Sequence, residues 1–348
     1  MSTPSRYSLS PTSRYLPTYR ERELSVCCDY ARKGKSLCFV GIAGSGKSNI
    51  VKALTQDRAI KARYLLNDEV DTVHFAAVDA NTWQGTPQHL WEMMLSALFD
   101  ASKTLPQPVF DAKITYLSDD EKMRRRVQLT IDHICQRLDQ RLMIILDDFD
   151  TVLMQGPLPM LEQFNLFRSA GNRERLSYLV FTKRLPHMLG RRFEFETRCK
   201  FYDLFRTDIF ALEPYTQDDA RQMVHHLNRQ LPEPLPNGVL GSMLWLGGGH
   251  ARLLKVVFDS WVKQAPPAGN QIDYFVAQAD VQEECRRVLA GLHPQERAAA
   301  IRLAQGQSRG DDDDTLDHLR RRGLLLDIAQ GKWFSPLWAE YLRTFATV

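Results

Sequence analysis

The stretch Gly41-Ile42-Ala43-Gly44-Ser45-Gly46-Lys47-Ser48 constrains this chain more than any other. It satisfies in full the pattern of glycine, four residues, Gly-Lys and a hydroxyl residue. It lies between the short apolar run Ser36-Leu37-Cys38-Phe39-Val40 and a helical stretch over 49–54. In that order the backbone N–H groups of the turn curl into a concave nest, and the following helix adds its positive end. Such a nest suits phosphate oxygens. Gly41, Ala43, Gly44, Ser45, Gly46 and Asn49 are the candidate cradle. Lys47 is placed to reach the β- and γ-phosphates of a nucleotide, and the Ser48 hydroxyl to ligate Mg²⁺.

The other half of such a site needs an acidic residue at the carboxyl edge of a buried strand. The uniformly apolar run over 142–146 ends in Asp147-Asp148, and a strand without alternation is buried on both faces. Asp147 is the candidate Mg²⁺ ligand and Asp148 the candidate for polarising an attacking water. Aspartate is shorter than glutamate by one methylene, about 1.5 Å of reach, so slow hydrolysis is expected. Asp150 is assigned to a loop or helix start. Further apolar runs over 72–78, 177–181 and 209–212 alternate with helical stretches over 86–101, 119–139 and 158–170. This alternation predicts a parallel sheet with helices on both faces. The run over 177–181 leads into Thr182-Lys183-Arg184, where Arg184 either reports a γ-phosphate or sits as a solvated loop charge.

After about residue 213 the strands stop, and helical periods follow over 216–227, 238–246 and 251–262. Gly247-Gly248-Gly249-His250-Ala251 opens the last of these, which makes Arg252 a second basic candidate for nucleotide, unless the glycines only form a loop. Near the end, Leu324-Leu325-Leu326, Asp327, Gly331 and Trp333-Phe334 read as a β-hairpin after helices, the pattern of a winged-helix module.

Composition removes other classes. At 348 residues the chain holds two or three domains of roughly 150 residues each. Its 25% charged and 44% hydrophobic residues supply a sizeable core and exclude disordered, collagenous and disulfide-scaffold proteins. Six scattered cysteines (Cys27, Cys28, Cys38, Cys135, Cys199, Cys285) form no CxxC pair and read as reduced thiols of a cytoplasmic protein. No apolar run approaches the ~18 residues of a membrane span, so no membrane partner is expected. Residues 1–19 lack an acidic residue and an apolar signal core, and Pro4, Pro11 and Pro17 break a transit-peptide helix; a flexible tail is expected.

Taken together these residues resemble the signal-transducing P-loop ATPases called STAND, within the AAA+/ASCE class and related to origin-recognition-type ATPases. Tyr19-Arg20-Glu21-Arg22-Glu23-Leu24 resembles the family's F-x-x-R-E-x-E-L lead-in, which helps hold the adenine. Leu146-Asp147-Asp148-Phe149-Asp150 resembles its LDEFD segment, and Phe181-Thr182-Lys183-Arg184 its T-x-R sensor. Phe201-Tyr202-Asp203-Leu204-Phe205 and Leu212-Glu213-Pro214-Tyr215-Thr216 resemble the linker into the helical lid. Gly248-Gly249-His250-Ala251 resembles the lid's GGHP turn, with Ala251 in place of the proline, and Arg252 overlays the sensor arginine of origin-recognition-type ATPases. Leu292-His293-Pro294-Gln295-Glu296-Arg297, Arg322-Gly323-Leu324-Leu325 and the segment from Phe334 to Tyr341 resemble the winged helix that closes bacterial members.

The resemblance implies an α/β P-loop ASCE ATPase domain with sheet order 5-1-4-3-2, followed by an all-helical lid and a winged-helix domain. The expected division is a tail over 1–19, a P-loop domain over 20–213, a lid over 214–275 and a winged helix over 276–348. ATP/ADP and Mg²⁺ are the implied cofactors. The implied function is a slowly hydrolysing molecular switch of signalling or defence, in which ADP holds the closed shape and exchange for ATP lets protomers assemble into a homo-oligomer. A separate sensor or effector protein is the implied partner.

The alternative is a DNA-binding AAA+ ATPase of loader or transposition type. Arg320-Arg321-Arg322 ends a helical stretch with His318 close by, and Arg286 and Arg287 add charge. Against this stand the four carboxylates Asp311 to Asp314, which repel phosphate, and a formal net charge of only +3. An arginine supplied in trans is open among Arg173, Arg175, Arg191 and Arg192.

Overall fold

The computed structural model describes residues 16, 18–101, 118–191, 194–267, 269–307 and 312–346. The expected tail, apart from residues 16, 18 and 19, lies outside these residues, as do Arg192 and Asp311.

Five strands, β1 (Leu37–Val40), β2 (Val73–Asp79), β3 (Arg141–Asp147), β4 (Leu176–Thr182) and β5 (Ile209–Ala211), form one sheet in the order β2-β3-β4-β1-β5. This is the expected 5-1-4-3-2 order read from the other edge. β2 and β3 pair in parallel with Asp79 opposite Asp147, and β3 and β4 pair in parallel with Leu146 opposite Val180. Six of the seven β3 residues are buried, as a strand covered on both faces requires. The chain then divides into two compact units. The first holds the residues up to Cys38, Ser48–Thr182 and Pro186–Ile209; the second holds Phe39–Lys47, Lys183–Leu185 and Phe210–Val348.

In the first unit the helices Pro87–Ala101, Asp119–Asp132 and Leu158–Ser169 turn apolar residues inward. Its core is aromatic. Phe164 stacks on Phe201 at 4.7 Å, and Tyr178 meets Phe164 edge-on while donating from its hydroxyl to the Phe164 carbonyl at 2.7 Å. The helix Arg58–Tyr64 goes unannounced in the apolar spacing because only Ile60 on it is buried. Its start is held by the Asp57 carboxylate, which accepts from the Ala59 and Ile60 amides.

The second unit is almost entirely helical: Gln217–Asn228, Asn237–Gly247, Ala251–Lys263, Gln271–Val276, Ala279–Ala290, Pro294–Ala304, Asp313–Arg321 and Pro336–Thr344. A two-stranded antiparallel hairpin, β6 (Leu325–Asp327) with β7 (Lys332–Trp333), sits between the last two. Gly248 ends the helix Asn237–Gly247 with φ +55°, and a Cβ there would lie 1.6 Å from the Phe334 carbonyl oxygen. Only glycine fits that turn. The Ser335 hydroxyl donates to the Leu246 carbonyl at 2.6 Å and accepts from the Trp338 amide, so one side chain ends one helix and starts another.

Candidate functional site

The glycine-rich loop belongs to the helical unit, where its shape is set by close packing. Gly44 and Gly46 take φ of +79° and +93°, a backbone region that side chains disfavour. A Cβ on Gly44 would come within 2.6 Å of both the Glu284 carboxylate and the His250 ring, and one on Gly46 within 2.8 Å of the Tyr215 hydroxyl. A Cβ on Gly41 would meet Leu212 at 2.9 Å and the Ser45 hydroxyl at 3.0 Å. Lys47 is buried, and its ammonium donates to the carbonyls of Gly41 and Ile42, both at 3.1 Å. This is a backbone nest that side chains would fill, with a cation held at its rim.

His250 joins the loop to the helix Ala251–Lys263. Its Nδ1 accepts from the Leu253 amide as the helix cap, and its Nε2 lies 2.7 Å from the Ala43 carbonyl. The two partners fix the tautomer: Nε2 carries the proton and donates. Burial pushes the His250 imidazole down to about 4, so it stays neutral. The Arg252 amide donates to the Gly44 carbonyl at 3.2 Å, and the Tyr215 amide to the Gly249 carbonyl at 2.8 Å. The start of this helix is therefore laced directly to the loop.

The two basic candidates end on a different helix of the same unit, Ala279–Ala290. The Arg252 Nε lies 3.2 Å from Glu284 Oε2, with the arginine side chain 54% exposed and the glutamate 3%. Burial raises the Glu284 carboxyl while Arg252 and Arg287, the latter at 3.7 Å, pull it down. Arg184 donates to the carbonyls of Ala290, Gly291 and Leu292 at 3.4–3.5 Å, where a helix C-terminus favours a cation.

The carboxylates lie in the first unit. Asp147 is buried and its Oδ1 accepts from the Asp148 amide at 3.0 Å. Asp148 takes φ +47°, and its Oδ2 accepts from Asn81 Nδ2 at 2.7 Å. Asn81 also donates to Asp79 Oδ1 at the end of β2. Register thus gathers Asp79, Asn81, Asp147 and Asp148 at the carboxyl edge of neighbouring strands. Ser48 and Asn49 sit in the first turn of the helix Lys47–Gln56, and Asp150 opens the helix Asp150–Gln155.

Within the second unit, then, Gly41, Ala43, Gly44, Ser45, Gly46 and Lys47 stand with Arg252, while Arg184 is turned to the end of helix Ala279–Ala290. Two contributing residues, the ion-pair partner Glu284 and the Asp148 partner Asn81, did not stand out in the sequence, and His250 and Tyr215 stood out only as members of motifs, without a role as tether or cover. The signal that could have found the His250 role is its place immediately before an apolar-periodic helix, where a cap belongs. Among the described residues no group of three or more His, Cys, Asp or Glu is arranged to hold a metal. Mg²⁺ here would need phosphate oxygens to complete its ligands, as is usual for that ion.

Residues 31–189 match the family model described as the AAA domain. No curated protein matches the chain by sequence. The fold of the chain is similar to that of the Walker-type ATPase of Pyrococcus abyssi, at 14% identity and TM-score 0.56, covering 95% of this chain and 99% of that one. It is also similar to the ORC2 protein of Aeropyrum pernix in its ADPNP–ADP complexes, at 14% identity and TM-score 0.53, covering 95% and 94%. A third similarity is to the ORC1 protein of Aeropyrum pernix in complex with DNA, at 16% identity and TM-score 0.50, covering 92% and 82%.

Proposed function

We propose that this chain is a STAND-type ATP-dependent molecular switch that binds Mg²⁺ and ATP, hydrolyses ATP slowly and assembles into a homo-oligomer when ATP replaces ADP. The observation that carries the reading is the loop at Gly41–Lys47: two left-handed glycines, a buried lysine, and the start of a helix 207 residues away bonded to its carbonyls. A nest built this way fits a polyphosphate.

In this reading Lys47 neutralises the β- and γ-phosphates. Ser48 and Asp147 hold Mg²⁺, which supplies charge neutralisation of the phosphates. Asp148, oriented by Asn81, holds the proton of the attacking water. Arg184 and Arg252 are the groups that distinguish triphosphate from diphosphate, and a switch needs such a difference because equal affinity shifts nothing. The proposed division keeps a P-loop domain over 20–213, a helical lid over 214–275 and a winged helix over 276–348, with the hairpin β6–β7 as the wing. Input and output would come from a separate sensor or effector protein. All six cysteines are buried free thiols, which fits a reducing compartment and supports the cytoplasm.

The DNA-binding alternative has less support. Of the arginine run, Arg322 is buried against Glu296 at 2.8 Å, and Arg320 and Arg321 pair with Asp317 at 2.7 and 2.6 Å. Charges already engaged in this way are poorly placed for a phosphate backbone. Phosphate release together with solution mass in ADP and in a slowly hydrolysed ATP analogue tests the proposal. Release that depends on Mg²⁺, with a mass increase in the analogue alone, is expected. An unchanged mass in both nucleotides overturns the switch, and steep salt-dependent binding to duplex DNA would favour the alternative.

A further inference from the structure

The helix Ala279–Ala290 holds both arginines that the proposed site would use to recognise a terminal phosphate, and it does so within one compact unit. Glu284 takes Arg252 at 3.2 Å, and the carbonyls at the helix end take Arg184. These two holds differ in kind. The Arg184 bonds are 3.4–3.5 Å long, near the limit at which such bonds retain strength. The Arg252 hold is an ion pair whose acid is almost fully buried and whose base is half exposed.

The Glu284 geometry is unusual for a structural ion pair. Its second oxygen, Oε1, is buried without a hydrogen bond and lies 2.6 Å from where a Cβ on Gly44 would stand. A carboxylate turned towards a phosphate-binding loop, half satisfied and buried, disfavours its own surroundings unless a cation stays close. Arg287 waits at 3.7 Å, shared with Glu283, and becomes the sole charge partner when Arg252 leaves. The Arg252 backbone is meanwhile bonded to the loop through the Gly44 carbonyl, so its guanidinium can swing without the helix start moving.

We infer that Glu284 is a positioning residue that keeps Arg252 in reserve, and that a nucleoside triphosphate draws Arg252, together with Arg184, off helix Ala279–Ala290. A terminal phosphate offers a guanidinium more negative charge and a better fork than one carboxylate does. A diphosphate lacks that terminal group, so it leaves the helix held. The identity of the nucleotide is thereby passed to the C-terminal helices through two arginines. The inference rests on the proposed nucleotide site.

The test uses the full chain with Mg²⁺ and either ADP or a slowly hydrolysed ATP analogue. Amide hydrogen exchange over 279–292 and the ratio of the two affinities are both read. In the native chain the analogue should speed exchange over 279–292 by about tenfold, with ADP leaving it unchanged. Glu284→Gln, close in shape, should raise the analogue-to-ADP affinity ratio by about tenfold, the size expected when a charged competitor is removed. Glu284→Asp, which keeps the charge but draws it back by about 1.5 Å, should leave the ratio between those of the native chain and Glu284→Gln, whereas a role in packing alone would make the shorter side chain the more disruptive. If both nucleotides bind and either the exchange over 279–292 is the same with both or Glu284→Gln leaves the affinity ratio at its native value, the inference is overturned and the site stands. Absence of binding by either nucleotide overturns the site and the inference with it.

Discussion

The loop at Gly41–Lys47 and the carboxylates at the end of β3 are both short motifs, yet the neighbours that shape them come from different distances along the chain. Asp147 and Asp148 have partners close at hand, among them each other and Asn81 on the neighbouring strand's extension, brought over by the pairing of Asp79 with Asp147. The loop adds to its own Lys47 bonds with Gly41 and Ile42 a set of neighbours from far along the chain, Leu212, Tyr215, His250, Arg252 and Glu284. Under the proposed function the two motifs carry different properties. On that reading the carboxylates at the end of β3 would set the chemistry, whereas the loop would set binding, and its packing on Tyr215, His250 and Glu284 couples it to the stability of the helical unit.

The largest effect that would sharpen this contrast is on turnover. Asp147→Asn should lower Mg²⁺-dependent phosphate release by about 10²–10³-fold, as removal of a charge stabiliser commonly does. Folding and ADP binding should stay near native values. Comparable losses of ADP affinity would erase the distinction between the two motifs.

The second prediction concerns pH and the loop. His250 is neutral when folded, with its imidazole pushed by burial down to about 4, while an unfolded histidine titrates near 6.5. Between those values the unfolded chain binds the additional proton. Stability is therefore complete above about pH 6.5 and lost as pH falls towards 4, by roughly 3 kcal/mol in all. Urea unfolding across that window should show the slope, and His250→Gln, which keeps a donor for Ala43, should flatten it. A separate loss follows at lower pH. Burial works against the Glu296 carboxylate, but His318, Arg322 and the His293 amide hold it down to about 2, so its contribution is lost as pH falls from about 4.5 to 2.

Gly44→Ala should destabilise the chain by about 2 kcal/mol, the sum of a left-handed alanine and contacts of 2.6 Å with His250 and Glu284. Calorimetric melting reads this directly, and nucleotide binding should fall with it. Asn81→Ala is the mild counterpart at the carboxylates. It removes one hydrogen bond to Asp148, so phosphate release should slow by about three- to tenfold with the melting temperature almost unchanged.

The same difference explains what could be read without coordinates. The apolar runs announce all five strands, most plainly the buried β1, β3 and β4, and the order of the sheet is the one that the family resemblance implies. The loop and the acid pair are legible because phosphate chemistry demands those residue types at that spacing. Side-chain partners are not legible in that way. Arg322 and Arg252 look alike as basic residues beside a helix end, yet one is buried on Glu296 and the other is half exposed on Glu284. Their fates depend on which helix packs opposite, a long-range fact that no local pattern encodes. His250 falls between these cases: its place before an apolar helix marks a cap, but its bond to Ala43, 207 residues away, requires the fold.

Calorimetric titration of the full chain with ATP and Mg²⁺, beside the same titration of Lys47→Ala, shows whether the loop at Gly41–Lys47 grips a nucleotide. Saturable binding of one nucleotide per chain, weakened by about 100-fold or more when the buried ammonium is removed, is the predicted result. No binding to the native chain, or equal affinity in the variant, would contradict it.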